Sequence, residues 1–174
     1  MLARSMVALV FAVVAGLPAS VAVAQNDTPG DPAIAEERDG KYFDADGTPT
    51  FKFENGQVDW YTFSGYRRYH AACHVCHGPD GLGSSYAPAL AHSLEHLDYA
   101  NFLAVVAGGR ENVSSSQKNV MPSFGTNPNV MCYIDDIYIY LRARAQGDLP
   151  RGRPPKKEKK PDSFMKAEND CLGT

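Results

Sequence analysis

The pentapeptide Cys73-His74-Val75-Cys76-His77 combines two thiols and an imidazole at a spacing that can do specific chemistry. On a helical turn, residues three and four apart lie on the same side, so Cys73, Cys76 and His77 face one direction. Two thiols placed in this way can form thioethers with the vinyl groups of a porphyrin, while the imidazole reaches its iron. C-x-x-C-H is the attachment signature for covalently bound haem. The motif therefore predicts one haem c, held by Cys73 and Cys76, with His77 as an iron ligand.

Two other kinds of site use a C-x-x-C pair. A structural zinc site needs four ligands at tetrahedral spacing, and the remaining Cys132 and Cys171 are isolated, with no second C-x-x-C. A thioredoxin-like redox pair follows a strand in a β-α-β unit, and the sequence shows no such context here. Both alternatives are weaker than haem attachment.

A sixth iron ligand is expected downstream, and the candidates are Met121, Met131, His92 and His96. Met121 is favoured because it lies in a Gly/Pro/Asn-rich loop between two predicted helices, where a thioether can be presented without distorting a helix. Met131 falls at the start of the predicted last helix and fits the core better. The two histidines lie in a polar segment that we expect to be exposed. The predicted iron ligands are thus His77 and Met121.

His/Met ligation has a functional consequence. The soft thioether stabilises ferrous iron relative to a second imidazole and so raises the reduction potential. An iron with two strong protein ligands has no open position for a substrate. We therefore expect an electron-transfer protein and not an enzyme, and a haem enzyme or gas-binding protein would instead need an open iron position.

The segments after the motif predict how His77 is oriented. A backbone carbonyl in Ala87-Pro88-Ala89-Leu90, that of Pro88 by preference, can accept the Nδ1-H of His77 and set its tautomer. The glycine-rich segment of residues 78–83 would let the backbone pass close to a porphyrin edge, although an ordinary turn explains it equally well. Pro88 therefore joins the predicted cofactor-binding residues.

The first 24 residues have the features of a secretory signal peptide. Arg4 supplies the positive region, residues 6–16 an apolar region, and Ala22-Val23-Ala24 a cleavage site. The apolar region is well short of the roughly 20 residues that span a bilayer, and no later stretch is long and apolar enough. We expect cleavage after Ala24, a periplasmic location and no transmembrane anchor. Export to an oxidising compartment permits disulfides.

The rest of the pattern predicts an all-α core. A helix is expected over residues 64–72, a second over residues 99–107 with Asp98 as N-cap, and a last helix capped by Asn129. Apolar side chains recur at helical spacing in that last helix and would form its buried stripe: Ile134, Ile137, Tyr138 and Leu141. Before residue 61 the sequence predicts short extended segments joined by Asp-Gly and Asn-Gly turns.

Charge is unevenly distributed along the 174 residues, although the formal net charge is only -3. Residues 25–60 hold nine acidic and three basic residues, whereas residues 142–160 hold eight basic and two acidic ones. A charge so near neutral gives no reason to expect a nucleic-acid partner. The Pro-rich, Lys-rich run at residues 149–161, which we call the strap, is expected to lie extended over the surface. The two charged segments either dock a partner or lie near one another.

Several motifs together resemble the class I c-type cytochromes over residues 61–145. They are Gly65, Tyr69, Cys73-His-Val-Cys-His77-Gly-Pro-Asp-Gly81, Ala87-Pro88-Ala89-Leu90, Met121-Pro-Ser-Phe124 and Tyr138-Ile-Tyr140-Leu141. The chain is also similar to the methanol-metabolism-related c-type cytochromes, at residues 44–47, 58–61 and 66–70 and at Cys132 and Cys171. The resemblance implies the class I cytochrome c fold, with Gly65 letting the first helix cross the last one against an aromatic such as Tyr138.

The same resemblance implies partners. The implied electron donor is a quinoprotein methanol dehydrogenase, especially the lanthanide-dependent type. The implied acceptor is another c-type cytochrome or an oxidase. A periplasmic shuttle for a different dehydrogenase is the alternative.

The expected organisation has four parts: signal peptide (1–24), turn-rich N-terminal extension (25–60), haem domain (61–145), and C-terminal strap and tail (146–174). Haem takes Cys73 and Cys76, so Cys132 and Cys171 are left as an even pair. A disulfide between them would fasten the tail to the last helix.

Overall fold

The computed structural model describes residues 30–113 and 118–174. The predicted signal peptide, residues 1–24, and its cleavage point lie outside the described residues. The helices in the described ranges are α1 (Trp60–Ala72), α2 (His74–His77), α3 (Leu90–Ser93), α4 (Tyr99–Gly108), α5 (Pro128–Met131), α6 (Ile134–Ala145) and α7 (Asp162–Leu172), with a 3-10 turn at Pro79–Gly81. None of the helices in these ranges is long and apolar enough to cross a bilayer.

The strands in the described ranges are short. They are β1 (Glu36–Arg38), β2 (Lys41–Phe43), β3 (Pro49–Thr50), β4 (Phe53–Glu54), β5 (Gln57–Val58), β6 (Arg110–Val113), β7 (Lys118–Met121) and β8 (Lys156–Lys157). They form three small sheets, in the orders β1-β2-β3, β4-β5-β8 and β6-β7. Because each strand is only two to four residues long, the helices supply most of the framework.

Helices α1 and α6 cross closely at Gly65. An ideal Cβ on Gly65 would lie 1.8 Å from the carbonyl oxygen of Asp136 and 2.8 Å from the Cβ of Tyr140. The missing side chain therefore allows the close crossing that the resemblance implied. The aromatic residue at the crossing is Tyr140, however, and not Tyr138, which packs against Tyr99 with ring centroids 4.8 Å apart. Residues two apart on a helix face different sides, so one of them meets α1 and the other meets α4.

Helix α1 begins at Trp60, and the predicted start at residue 64 is wrong. Buried Asp59 is its N-cap, and Oδ1 of this residue accepts a hydrogen bond from the backbone N–H of Thr62 at 2.8 Å. Its other oxygen accepts from the Thr62 hydroxyl at 2.5 Å and from the Lys52 N–H at 2.8 Å. One carboxylate thus starts the helix and holds the segment before it, a double role that the local pattern did not reveal.

The other helix boundaries were predicted with mixed success. As predicted, Asp98 caps α4, where its Oδ1 accepts from the Asn101 N–H at 2.7 Å. This helix ends at Gly108, and Gly109 follows it with a φ of 76°. Asn129 does not cap the last helix. Instead Asn127 caps the short α5, and α6 starts only at Ile134. The buried stripe on α6 is confirmed.

The expectation of an all-α fold is not confirmed in detail. Strands β6 and β7 pair antiparallel from Arg110↔Met121 to Val113↔Lys118, in a segment predicted to be a loop. The run Arg110-Glu-Asn-Val113 is mostly polar and lacks the apolar alternation that marks a half-buried strand. Short, exposed strand pairs of this kind leave little signal in a sequence.

The N-terminal extension contains the expected short strands and is fastened to α6. The guanidinium of Arg142, itself buried, donates to Asp44 Oδ2 and to the Gly30 carbonyl, each at 2.8 Å. It also donates to the carbonyl of Pro49 at 3.1 Å. Asp44 and Arg142 are both nearly inaccessible to solvent, so they satisfy each other's charge inside the protein.

The C-terminal tail is more ordered than predicted. Within the strap, β8 adds parallel to β5, with Gln57 beside Lys156. Helix α7 follows and was not predicted. Its buried Phe164 packs against Tyr61 at a centroid distance of 5.1 Å. The expected disulfide between Cys132 and Cys171 is present and joins α7 to the residue after α5.

Candidate haem-binding site

The C-x-x-C-H motif forms one helical turn at the end of α1. Cys73 is the C-cap of α1 and its N–H donates to the Tyr69 carbonyl at 2.8 Å. Its own carbonyl accepts from the N–H groups of Cys76, at 3.2 Å, and His77, at 3.0 Å. On such a turn, residues three and four apart are expected to lie on one side. Neither thiol is in a disulfide: Cys73 is half-buried and Cys76 is exposed.

The imidazole of His77 is buried and held by one hydrogen bond. Its Nδ1 lies 3.0 Å from the carbonyl oxygen of Pro88, the partner that the sequence analysis assigned to it. A carbonyl can only accept, so Nδ1 carries the proton and Nε2 keeps its lone pair. An imidazole in this tautomer can bind a metal through Nε2.

The loop between His77 and Pro88 packs backbone against backbone. Gly78 has a φ of 73°, and a Cβ there would lie 2.2 Å from the carbonyl oxygen of Gly83. Gly83 N–H donates to the His77 carbonyl at 2.7 Å, which closes the loop. The glycines are therefore required by close approach within the protein, which goes beyond the ordinary turn that the sequence also allowed.

Two side chains that the sequence analysis did not assign to the site brace this loop. The Tyr69 hydroxyl donates to the Gly78 carbonyl at 2.5 Å. Buried Asp80, which has a φ of 60°, accepts from the Gly152 N–H at 2.9 Å and so ties the loop to the strap. A buried tyrosine needs a partner for its hydroxyl, and an Asp-Gly pair favours such a turn. These two general tendencies are the only sequence features from which the roles of Tyr69 and Asp80 could have been predicted.

Met121 is positioned by its backbone at the end of β7. The segment after it lies along the end of α4, where Phe124 N–H donates to the Val106 carbonyl and Gly125 N–H to the Ala107 carbonyl, each at 3.0 Å. Gly109 makes the close approach possible, because a Cβ there would lie 2.7 Å from the Met121 carbonyl oxygen. Met121 is half-buried against the core. It stays the predicted sixth ligand.

The competing ligand candidates are Met131, His92 and His96. Met131 ends α5 and packs against the hydrophobic core. His92 and His96 are exposed, as expected. They lie beside one another and beside Glu95, in α3 and the turn that follows it.

The structure also bears on the two alternatives for the C-x-x-C pair. Cys132 and Cys171 are bonded to each other, so they are not available as further zinc ligands. The motif ends a helix and does not follow a strand. Burial, and to a lesser extent the neighbouring Cys76, raise the pKa of the Cys73 thiol to about 11. A redox-active pair needs a lowered thiol pKa instead.

Similar known proteins are haem proteins. Cytochrome c-553I from Paracoccus denitrificans is 58% identical over 134 residues, which are 76% of this chain and 59% of that relative. Cytochrome c-555 from Methylococcus capsulatus is 38% identical over 96 residues, 55% of this chain and 72% of the relative. The crystal structure of c-type cytochrome XoxG from Methylobacterium extorquens AM1 is 52% identical, with a TM-score of 0.75, over 85% of this chain and 95% of that one. The chain belongs to the c-type cytochromes.

Family membership confirms two predictions. The resemblance to c-type cytochromes and the covalently attached haem c follow from these relatives, whose names also support electron transfer in place of enzymatic catalysis. The chain spans 59% of the length of the Paracoccus cytochrome, which is less than two thirds. No protein-family model matches the chain.

The residues present fit haem c. Two unbridged cysteines lie on one helical turn with an imidazole whose Nδ1 is hydrogen-bonded and whose Nε2 has no hydrogen-bond partner among the described residues. The backbone cradle of Gly78 and Gly83 could not accept side chains. Cys73, Cys76, His77 and Pro88 are brought together by the structure, and this set suits a thioether-bound, imidazole-ligated haem.

Proposed function

We propose that this cytochrome carries single electrons in the periplasm, from a quinoprotein methanol dehydrogenase to another c-type cytochrome or a terminal oxidase. The observation that carries the electron-transfer part is the His77 imidazole, buried and held at 3.0 Å by the Pro88 carbonyl beside two unbridged cysteines. The donor rests on the sequence resemblance to methanol-metabolism-related cytochromes. The lanthanide-dependent type of dehydrogenase is the donor that this resemblance favours.

The protein residues supply a preset coordination sphere. We propose that Cys73 and Cys76 would hold haem through two thioethers and that His77 and Met121 would bind its iron. When bound, haem c supplies the one-electron ferric/ferrous couple. The Pro88 carbonyl keeps the His77 ring from rotating, and the strand end and loop at Met121 are held against α4 by the hydrogen bonds of Phe124 and Gly125. Transfer of a single electron breaks no covalent bond in a substrate, so the protein would need no acid, base or nucleophile of its own.

The organisation of the chain is part of the proposal. Residues 1–24 would be removed on export, and residues 61–145 would form the haem domain. Residues 25–60 and 146–174 would wrap this domain, which is supported by the Arg142–Asp44 pair and by the pairing of β8 with β5. N-terminal sequencing of the periplasmic protein should begin at Gln25. An intact Met1 on the holoprotein would overturn the export proposal.

The donor can be tested by mixing the ferric holoprotein with purified, methanol-reduced dehydrogenase in a stopped-flow spectrometer. We expect rapid appearance of the ferrous spectrum in a second-order reaction. A quinoprotein dehydrogenase for a different substrate serves as the matched control and should react much more slowly. Equal rates with both enzymes would favour the generic shuttle, and no reaction with the methanol dehydrogenase would overturn the proposed donor.

Carbon monoxide binding distinguishes a haem enzyme or gas-binding protein, which has an open iron position, from an electron carrier. If His77 and Met121 both bind the iron, native ferrous protein should bind carbon monoxide slowly and incompletely. Fast, stoichiometric binding would contradict His/Met ligation and support an open iron position, whatever the identity of the electron donor.

A further inference from the structure

Three side chains with metal-binding chemistry lie together outside the proposed haem site. His92, Glu95 and His96 each place one ligand atom within 4.8 Å of the others. The His92 Nδ1 lies 3.1 Å from Glu95 Oε2, and the two imidazole rings are 5.9 Å apart. Among the described residues, no other group of three His, Cys, Asp or Glu side chains meets this condition. The electron-transfer proposal does not use these side chains.

The backbone beneath the three side chains is well held. Hydrogen bonds run from Leu94 N–H to the Leu90 carbonyl and from Leu97 N–H to the Ser93 carbonyl, each at 2.9 Å. Leu94, on the opposite side of the turn, is 1% exposed and anchors it in the core. Helical hydrogen bonding thus continues past the end of α3, so positions 92, 95 and 96 project from the same side.

The access and chemistry of this turn suit a metal ion. His92 and His96 are exposed and Glu95 is half-buried, so an ion can reach all three from solvent. Two imidazoles and one carboxylate form a donor set typical of zinc, whereas magnesium and calcium prefer oxygen ligands alone. Zinc bonds of about 2.0–2.2 Å require ligand atoms about 3.3 Å apart. The ligand atoms now lie within 4.8 Å of one another, so small rotations of these side chains would bring them to the distances that zinc requires.

We propose that His92, Glu95 and His96 form a surface site for one divalent transition-metal ion, with zinc as the reference ion. The three ligands occupy three corners of a tetrahedron. Water, or a side chain of another protein, completes the fourth corner. The site is independent of the electron donor and of the sixth haem ligand.

Isothermal titration of tag-free holoprotein with zinc chloride tests this site. We expect one saturable ion per chain with micromolar affinity, and no comparable heat with magnesium chloride. His92→Gln and His96→Gln should each weaken zinc binding by at least about tenfold, since loss of even an outer-shell partner costs about that much. Glu95→Gln should weaken it less, because two imidazoles remain. Glu54→Gln removes an exposed carboxylate elsewhere and should leave binding unchanged.

A second measurement identifies the donor atoms. Histidine side-chain NMR spectra of the ferrous protein should show zinc-dependent shifts for His92 and His96 and none of similar size for His70. The visible spectrum of each variant checks that the haem site is intact. Absence of saturable zinc binding, or unchanged affinity in the His92→Gln/His96→Gln double variant, would overturn the proposal.

Discussion

The orientation of the His77 ring depends on a backbone atom that no side-chain substitution can remove. The Pro88 carbonyl accepts from Nδ1 at 3.0 Å, so the tautomer is set by the path of the chain between residues 78 and 88. This contact was predictable from the sequence because the C-x-x-C-H motif and the following Ala-Pro-Ala-Leu segment are local patterns. The roles of Tyr69 and Asp80 in bracing that path were not, since they depend on where the chain returns.

Replacing Met121 by Ala should open the sixth position of the iron. We expect the weak long-wavelength ferric band of Met–Fe coordination to disappear and carbon monoxide to bind the ferrous protein quickly. The reduction potential should fall, because a thioether stabilises the ferrous state. Visible spectroscopy and redox titration provide the measurements. Met131→Ala is the matched control and should keep the band; loss of the band in that variant instead would reassign the ligand.

Asp136 predicts a pH dependence of stability. Burial raises its pKa to about 7, and one of its oxygens has no hydrogen-bond partner among the described residues. The folded protein therefore holds a proton that the unfolded chain releases near its usual pKa, about 3.9. Stability contributed by the protonated acid is fully present below that value and is lost as the pH rises towards 7.

Asp136→Asn should remove this contribution. We expect the variant to lose less stability than the wild type between pH 4 and pH 7, by about 2–4 kcal/mol. Denaturant melts of the holoprotein across that range provide the measurement. Asp148→Asn, at an exposed position, should follow the wild type. Parallel pH profiles for wild type and Asp136→Asn would show that Asp136 is ionised in the folded protein.

At the scale of elements, the crossing of α1 and α6 organises the fold. It was predictable because the resemblance to class I c-type cytochromes implied a close crossing at Gly65, and because the buried stripe of α6 recurs at helical spacing. Helix α7 was missed because its stability comes from tertiary contacts: Phe164 packs on Tyr61, and the disulfide fastens the end of α7. The β6–β7 pair was missed because its strands are short and lack apolar alternation. The start of α1 was misplaced for a similar reason, since Asp59 also binds the Lys52 N–H.

Gly65→Ala should destabilise the protein strongly. The new Cβ would overlap the Asp136 carbonyl at 1.8 Å, and backbone cannot move aside as a side chain can. We expect a loss of about 3 kcal/mol in the free energy of unfolding. Gly108→Ala is the matched control, because Gly108 is also helical and has nothing within 4 Å of its Cβ position. Equal melting temperatures for the two variants would mean that the helices do not cross as closely as described.

Removing the disulfide should loosen the tail more than the haem site. The bridge closes a loop with a sequence separation of 39, and in the chain-entropy model its loss costs about 3–4 kcal/mol. In a Cys132→Ser/Cys171→Ser variant we expect faster proteolysis within α7 and an unchanged visible spectrum. Mass spectrometry of the digested holoprotein follows the cleavage. Alkylation of both cysteines in denatured, unreduced wild type would show instead that no bridge forms.

At the scale of the whole molecule, charge is segregated although the net value is small. The strap lies against the acidic extension, where Lys52 pairs with Glu158 at 3.2 Å and β8 pairs with β5. Part of the basic excess of the strap is also neutralised within the protein, because Arg151 pairs with Asp80 and Lys160 pairs with Glu168. Other strap cations stay exposed, including Lys156 and Lys159. The sequence left docking of a partner and mutual contact of the two segments open as alternatives, and the structure shows the contact.

The exposed strap cations should steer the electron donor. If they do, the second-order rate of reduction by the dehydrogenase falls at least about threefold between low salt and about 0.5 M salt, because screening shortens the reach of the charges. Lys156→Gln/Lys159→Gln should lower the low-salt rate and flatten its salt dependence, since these side chains have no ion-pair or hydrogen-bond partner among the described residues to lose. Lys166→Gln, on α7, removes one exposed cation outside the strap and should change little. A rate that does not respond to salt in the wild type would assign docking to uncharged contacts, because steering by charge at any surface must weaken as the charges are screened.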